Sequence, residues 1–521
     1  MPADLVIRNV VPFRHGRFGR EPVSVVVDGG RIVAIRRHCA GECAENGAVV
    51  LEGRGGALVP GLVDAHLHLV ETALSRLWLD LRGVGSIEEL KELVARRAER
   101  MPKGSWILGR GWDQDEFREK RYPSAGDLDE AAPENPVLLI RVCGHVAVAN
   151  SLALERAGID ARTPDPPGGT IERDEMGNPT GLLKESAVEL ARRAVPRPGV
   201  GELRELVEEA ISEFLSKGLT MIHVVSARAE ELRILEALRR EGKLKVRIRA
   251  YVDPGALELA SELEGDEYLR IAGIKLIADG SLGARTAALR EPYSDRPEEG
   301  GSLLLDREAL RRYLSIARKR ELQVAIHCIG DRALEEVLEA VLEEGFPGDL
   351  LRIEHCSLAP PDLVEMLASV KPVVVVQPRF VISDWWILDR LGRKRARWAY
   401  CFKSLLESGL VLAGSSDSPV EPWDPWEGMR SAVERGAGEF ARMTSDERLS
   451  VEEAIEMYTR GGAIACGEEE DYGEVEEGRV ADLVLLDRIP ERAEDLEELE
   501  VVAVIVGGEL VYCSRPDILV G

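Results

Sequence analysis

The segment Pro60-Gly61-Leu62-Val63-Asp64-Ala65-His66-Leu67-His68 constrains the fold of this chain more than any other, because a short apolar run ends there in two histidines spaced i, i+2. In a strand, that spacing sends both imidazoles to one side. Paired neutral imidazoles are nitrogen donors suited to Zn²⁺, Fe²⁺, Mn²⁺ or Ni²⁺. A lone His-x-His pair often does no more than satisfy hydrogen bonds, but three further apolar runs also end in a ligand: His327, His355 and Asp417. Residues so distant in sequence meet at one point when their strand ends share a face, as they do at the C-terminal end of a closed parallel barrel.

Counting back from Asp417 gives eight strands. Strand eight ends at Asp417, strand seven is 373–377, strands six and five end at His355 and His327, strand four carries Lys275, strands three and two are 246–251 and 220–224, and strand one ends at His68. Helical periodicity from Ala309 to Arg320 and from Arg332 to Glu344 alternates with the later strands, so the predicted class is α/β, a (β/α)₈ TIM barrel over 59–78 and 201–470. The stretch between strands one and two is too long for one βα unit. Residues 79–200 are therefore expected to form an inserted α+β domain that covers the barrel mouth and helps choose the substrate. The short strands of 1–58 and the runs at 482–487 and 501–506 need partners, and pairing 1–58 with 471–521 in a small β-sandwich supplies them.

The order His-x-His, Lys, His, His, Asp resembles the amidohydrolase superfamily. Within it, the passages from Ile274 to Ala287 and from His327 to Ala333 are similar to the YtcJ-like branch, which includes N-substituted formamide deformylases. The closing stretch from Gly473 to Val484 also resembles that branch's last strand motif. The likeness runs over nearly the whole chain. It implies a metal-dependent hydrolase, a terminal domain built from both ends, and a Gly144-His145 segment near the substrate.

The chemistry expected of these residues is hydrolysis of carbon–nitrogen bonds other than peptide bonds, amides or formamides among them. One or two divalent ions, zinc first, at His66, His68, Lys275, His327, His355 and Asp417 would turn bound water into a hydroxide nucleophile at neutral pH. Asp417 is the expected general acid/base, taking the water's proton and delivering it to the leaving amine. Lys275 cannot bind a cation as an ammonium. Burial among Ile274, Leu276 and Ile277 favours the neutral amine, which can take up CO₂ as a carbamate and bridge two metals; an unmodified lysine paired with Asp279 is the alternative. Asp279, Arg285, His145 and Trp112 are candidate substrate contacts, and Trp385 and Trp386 candidate walls of an apolar pocket. A deaminase or a cyclic amide or lactone hydrolase would use the same ligands. A non-catalytic regulatory protein on this fold is a remoter reading.

Composition removes other classes. A net charge of −26 argues against nucleic-acid binding, which needs clustered cations. The N-terminus lacks a signal peptide's basic and apolar regions and no run is long enough to span a bilayer, so a soluble cytoplasmic protein with no membrane partner is expected. A homodimer is compatible with the sequence. Charged residues make up 31% of the chain, a thermophile-like balance. No G-x-G-x-x-G opens a helix after a strand, which excludes a dinucleotide fold. Eight scattered cysteines form no disulfide or zinc framework. Cys39 and Cys43 beside His38 come nearest, and Cys328 and Cys356 read as packed small hydrophobes.

Overall fold

The computed structural model describes residues 3–37, 48–142 and 144–520. His38, Cys39 and Cys43 lie outside them. The chain divides into two compact units, Met1–Thr72 with Val207–Gly521, and Ala73–Leu206.

In the first unit eight parallel strands follow one another around the sheet: β1 (Leu62–Leu67), β2 (Leu219–Ala227), β3 (Arg247–Val252), β4 (Leu269–Ile277), β5 (Gln323–Cys328), β6 (Leu351–His355), β7 (Val373–Val376) and β8 (Val411–Gly414). Their near-continuous apolar runs suit strands covered on both faces. Ladders join each strand to the next from β1 to β8. The seam between β8 and β1 is instead stitched just beyond the strand ends, where the Asp417 amide donates to the His66 carbonyl (2.8 Å) and the His68 amide to the Ser418 carbonyl (2.9 Å). The buried Asp64 carboxylate reinforces the seam, with Oδ1 accepting from the amides of both His66 and Ser416 at 3.1 Å. Closing the barrel and aligning His66 and His68 with Asp417 are thus one event.

Helices pack outside the strands. Arg307–Arg320 starts where the Asp306 side chain accepts from the Ala309 amide (2.7 Å), and it buries Leu310, Leu314 and Ala317, a spacing that keeps one face toward the sheet. Asp331–Glu343 buries Leu334, Val337, Leu338 and Val341 in the same manner.

Strands from both ends of the chain form one hydrogen-bonded system with the order Glu509–Cys513, Val501–Val506, Leu483–Leu486, Ala57–Pro60, Leu5–Arg14, Val23–Asp28, Arg31–Arg37. Their common core includes Leu5, Ile7, Val25, Leu58, Leu483 and Ile505. This part and the barrel lie in one compact unit. Across them the fully buried Arg247 of β3 reaches out to Asp482 through two bonds of 2.7 and 3.0 Å, and the Gly61 amide donates to the Asp482 carbonyl (2.8 Å).

The second unit carries a six-stranded mixed sheet ordered Gly169–Arg173, Pro179–Glu185, Val146–Ala149, Val137–Arg141, Ile107–Trp112, Trp78–Asp80. It spans 73–206 rather than 79–200, and has apolar cores on both faces of its sheet. Buried Asn150 caps Ser151–Arg156 by accepting from the Ala153 amide, while its Oδ1 also accepts from the Val137 amide, both at 2.9 Å. Among the described residues, no helix is long and apolar enough to cross a membrane.

Candidate metal centre

The residues singled out at the strand ends converge. One ligand atom from each of His66, His355 and Asp417 lies within 4.8 Å of the others, and all three side chains are buried. Asp417 Oδ1 is 3.4 Å from His66 Nε2 and 3.3 Å from His68 Nε2. The His327 ring centre is 4.5 Å from that of His355, which is 4.9 Å from that of His66. His355 and Asp417 adopt left-handed backbone angles, φ +71° and +57°. Such angles are costly away from glycine, on the order of 1–3 kcal/mol each, and concentrate at functional sites. Here they turn side chains inward at the point where regular strand alternation stops.

Neighbouring groups engage one ring nitrogen of His66 and one of His355. The carboxylate of Glu354 can only accept, so His66 Nδ1 donates to its Oε2 at 2.5 Å and leaves the Nε2 lone pair toward Asp417. Gln377 Oε1 takes the Nδ1 proton of His355 at 2.8 Å, and the Gln377 amide is itself fixed by donating to Ser415 Oγ at 2.9 Å. His66 Nε2 and the Asp417 carboxylate then face each other, and although burial opposes a charge on His66, Asp417 and Glu354 raise its pKa above the usual histidine value, so the gap between them calls for a positive charge, a proton on Nε2 or a metal ion in its place. Burial, aided by His327, holds the His355 pKa far below the usual histidine range, and burial with Lys275 nearby pushes His327 down to about 3. Neutral imidazole is the form that ligates. Burial opposes ionisation of Asp417, yet His66, His68 and His355 together hold its carboxyl well below the usual range. The donor set therefore fits a divalent cation.

Lys275 is 4% exposed, and its Nζ has no hydrogen-bond partner among the described residues. Burial holds its pKa below the usual lysine range despite the Glu354 and Asp417 carboxylates.

The other candidates fare differently. Asp279 is fully buried and accepts from the backbone amides of Ala288, Ile329 and Gly330 at 2.8 to 3.0 Å, so it anchors loops rather than offering itself to a substrate. It lies 3.5 Å from His327 Nε2, which also faces the Gly280 carbonyl at 2.9 Å. Arg285 is spent on Asp295 (2.7 Å), which Arg390 also engages. Trp112 is corrected outright. It is fully buried in the core of the second unit, stacked on Phe117, with its indole N–H on the Leu139 carbonyl (3.0 Å). His145 is exposed beside Glu185 at 3.0 Å. Trp385 is 78% exposed, whereas Trp386 lies half-buried against the Arg390 guanidinium. The aromatic ring that does stack on the site is Phe380, whose centre is 6.5 Å from that of His355. Cys328 and Cys356 are buried free thiols. Sequence reasoning passed over Glu354, which stands beside His355, and Gln377, which closes a strand with no proposed ligand.

A profile described as the amidohydrolase family matches residues 50–512, and the chain belongs to that family. It is 37% identical to the putative amidohydrolase YtcJ of Bacillus subtilis over 88% of this chain and 89% of that protein. It is 29% identical to the N-substituted formamide deformylase of Arthrobacter pascens, over 94% of each. The crystal structure of an uncharacterized metal-dependent hydrolase from Pyrococcus horikoshii superposes with a TM-score of 0.76 at 36% identity, covering 93% of this chain and 98% of the other. The protein is a metal-dependent hydrolase of the amidohydrolase family.

Proposed function

We propose that the chain hydrolyses carbon–nitrogen bonds other than peptide bonds in small amides or formamides, with Asp417 as general acid/base. The observation that carries this reading is the convergence of Asp417 Oδ1 on His66 Nε2 and His68 Nε2, at 3.4 and 3.3 Å. His66, His68, His327, His355, Asp417 and Lys275 would hold the divalent ion or ions. Their nitrogen and oxygen donors suit zinc. A bound divalent ion supplies polarisation of the substrate carbonyl and brings the pKa of water toward neutrality.

The chain's own groups do the rest. Asp417 is ionised and partly reachable from the mouth, so it takes the proton of the attacking water and returns it to the departing amine nitrogen. His68, with 29% of its side chain exposed, orients the same carboxylate oxygen from the mouth side. Phe380 closes one flank beside His355 and keeps bulk water from it. The neutral Lys275 amine adds to CO₂ and releases one proton, which gives an anionic carbamate among the histidines. A panel of formamides, other amides, aminopurines, hydantoins and lactones tests the reading. Turnover of amides or formamides is the expected result, and turnover confined to lactones or aminopurines would overturn it.

A further inference from the structure

Beneath the proposed ligands lies a buried polar network that they do not account for. Arg352 and Glu354, both on β6, are fully buried and joined by Arg352 Nε donating to Glu354 Oε1 at 2.9 Å. Glu354 spends its other oxygen on His66 Nδ1 at 2.5 Å. Arg352 Nη2 donates to the Ala65 carbonyl at 2.7 Å, which is the peptide leading into His66. Its Nη1 donates to His223 Nδ1 at 2.9 Å, and the guanidinium lies 4.0 Å over the Tyr251 ring. Tyr251 is anchored in turn by donating to Gln323 Oε1 at 2.5 Å.

We propose that Arg352 and Glu354 are positioning residues for His66. Arg352 sets its backbone through Ala65, and Glu354 sets its ring plane and tautomer, so that Nε2 is presented to a metal ion. This rests on the assignment of His66 as a ligand. A buried Arg–Glu pair adds little to stability on its own, since both charges give up their hydration. Its geometry is better explained by what it holds: the same two side chains reach both the main chain and the side chain of one histidine. Carboxylates that accept the second N–H of a metal-bound histidine raise its basicity and fix its direction, and losing one typically weakens metal binding by about 10- to 100-fold.

The test is zinc affinity, measured by competition with a chromogenic chelator on the full chain, with the thermal melt of the metal-stripped protein as the check on folding. Glu354→Gln keeps the volume but not the charge, and Arg352→Lys keeps the charge but not the fork. Each is expected to bind zinc about 10- to 100-fold more weakly than wild type while remaining folded. If Glu354→Gln does not accumulate as folded protein, Arg352→Met combined with Glu354→Gln removes both buried charges together and is put through the same assay. Zinc affinity within twofold of wild type in any of these folded variants overturns the positioning role. His66→Asn separates the two claims. If it loses zinc while Glu354→Gln does not, the positioning proposal fails and the ligand assignment stands; if His66→Asn keeps wild-type affinity, the assignment itself fails.

Discussion

Asp417 carries the sharpest prediction at the scale of single residues. Asp417→Asn fills the same volume but cannot take a proton, so turnover is expected to fall by about 10²- to 10⁴-fold with the fold intact. Steady-state kinetics at matched metal content check this, and activity within tenfold of wild type contradicts the assignment. Lys275→Ala is expected to lose activity and to regain part of it with short carboxylic acids, which replace the carbamate oxygens. Full activity without rescue would exclude a carbamate. The converging His66, His355 and Asp417 were legible in the sequence because each stands at the end of an apolar run. Glu354 and Gln377 were not recognised, for a physical reason. Strict alternation sends neighbours such as Glu354 and His355 to opposite faces, and only the left-handed turn at His355, φ +71°, brings both inside. Trp112 was misread because a Gly-Trp-Asp stretch looks equally apt for a pocket rim and for the end of a core strand.

At the scale of elements, the strands and the two helices after β4 and β5 could be read from periodicity alone, although strand two runs on to Ala227 and strand eight stops at Gly414, three residues short of Asp417. Pairings could not be read this way, since a register between distant strands leaves no local trace. The helix Ala229–Arg240 carries a measurable consequence of burial. Its Glu231 is 7% exposed, accepts from the Val70 amide at 3.2 Å, and has its pKa pushed up to about 8, first by burial and then by Glu71. A carboxyl whose folded pKa is raised binds its proton more tightly in the native state. Its contribution to stability is therefore complete below the unfolded value near 4.5 and is lost as pH rises toward about 8. Glu231→Gln removes that loss. Denaturant unfolding should find the variant more stable than wild type above pH 8 by a few kcal/mol, on the order expected for a shift of this size, and little different near pH 4. An unchanged pH profile would contradict the burial argument.

At the scale of the whole molecule, the chain binds its two ends to the barrel rather than keeping them apart. The sequence suggested that both termini share a domain, yet it gave no sign that Arg247, inside a barrel strand, would cross to Asp482. A lone arginine in an apolar run is as readily an outward solvated group. Asp482→Ala takes two bonds from a buried guanidinium and leaves it, among the described residues, only Glu267, through the carboxylate at 3.1 Å and the carbonyl at 3.2 Å, so the folded state is expected to lose up to about 3–5 kcal/mol. Chemical denaturation measures it, and a loss under 1 kcal/mol would show that the two parts are held together otherwise. The inserted unit could be placed in sequence from its length alone. Its mixed strand order, with Val146–Ala149 between Pro179–Glu185 and Val137–Arg141, was beyond reach.

The central claim is that a divalent ion on the converging histidines and Asp417 is needed for hydrolysis, and its most direct test is elemental analysis of the purified protein coupled to turnover of a formamide before and after chelation. One or two zinc ions or equivalent divalent metals per chain are expected, with activity that disappears with them and recovers when zinc alone is returned. Undiminished turnover by rigorously metal-free protein would contradict it.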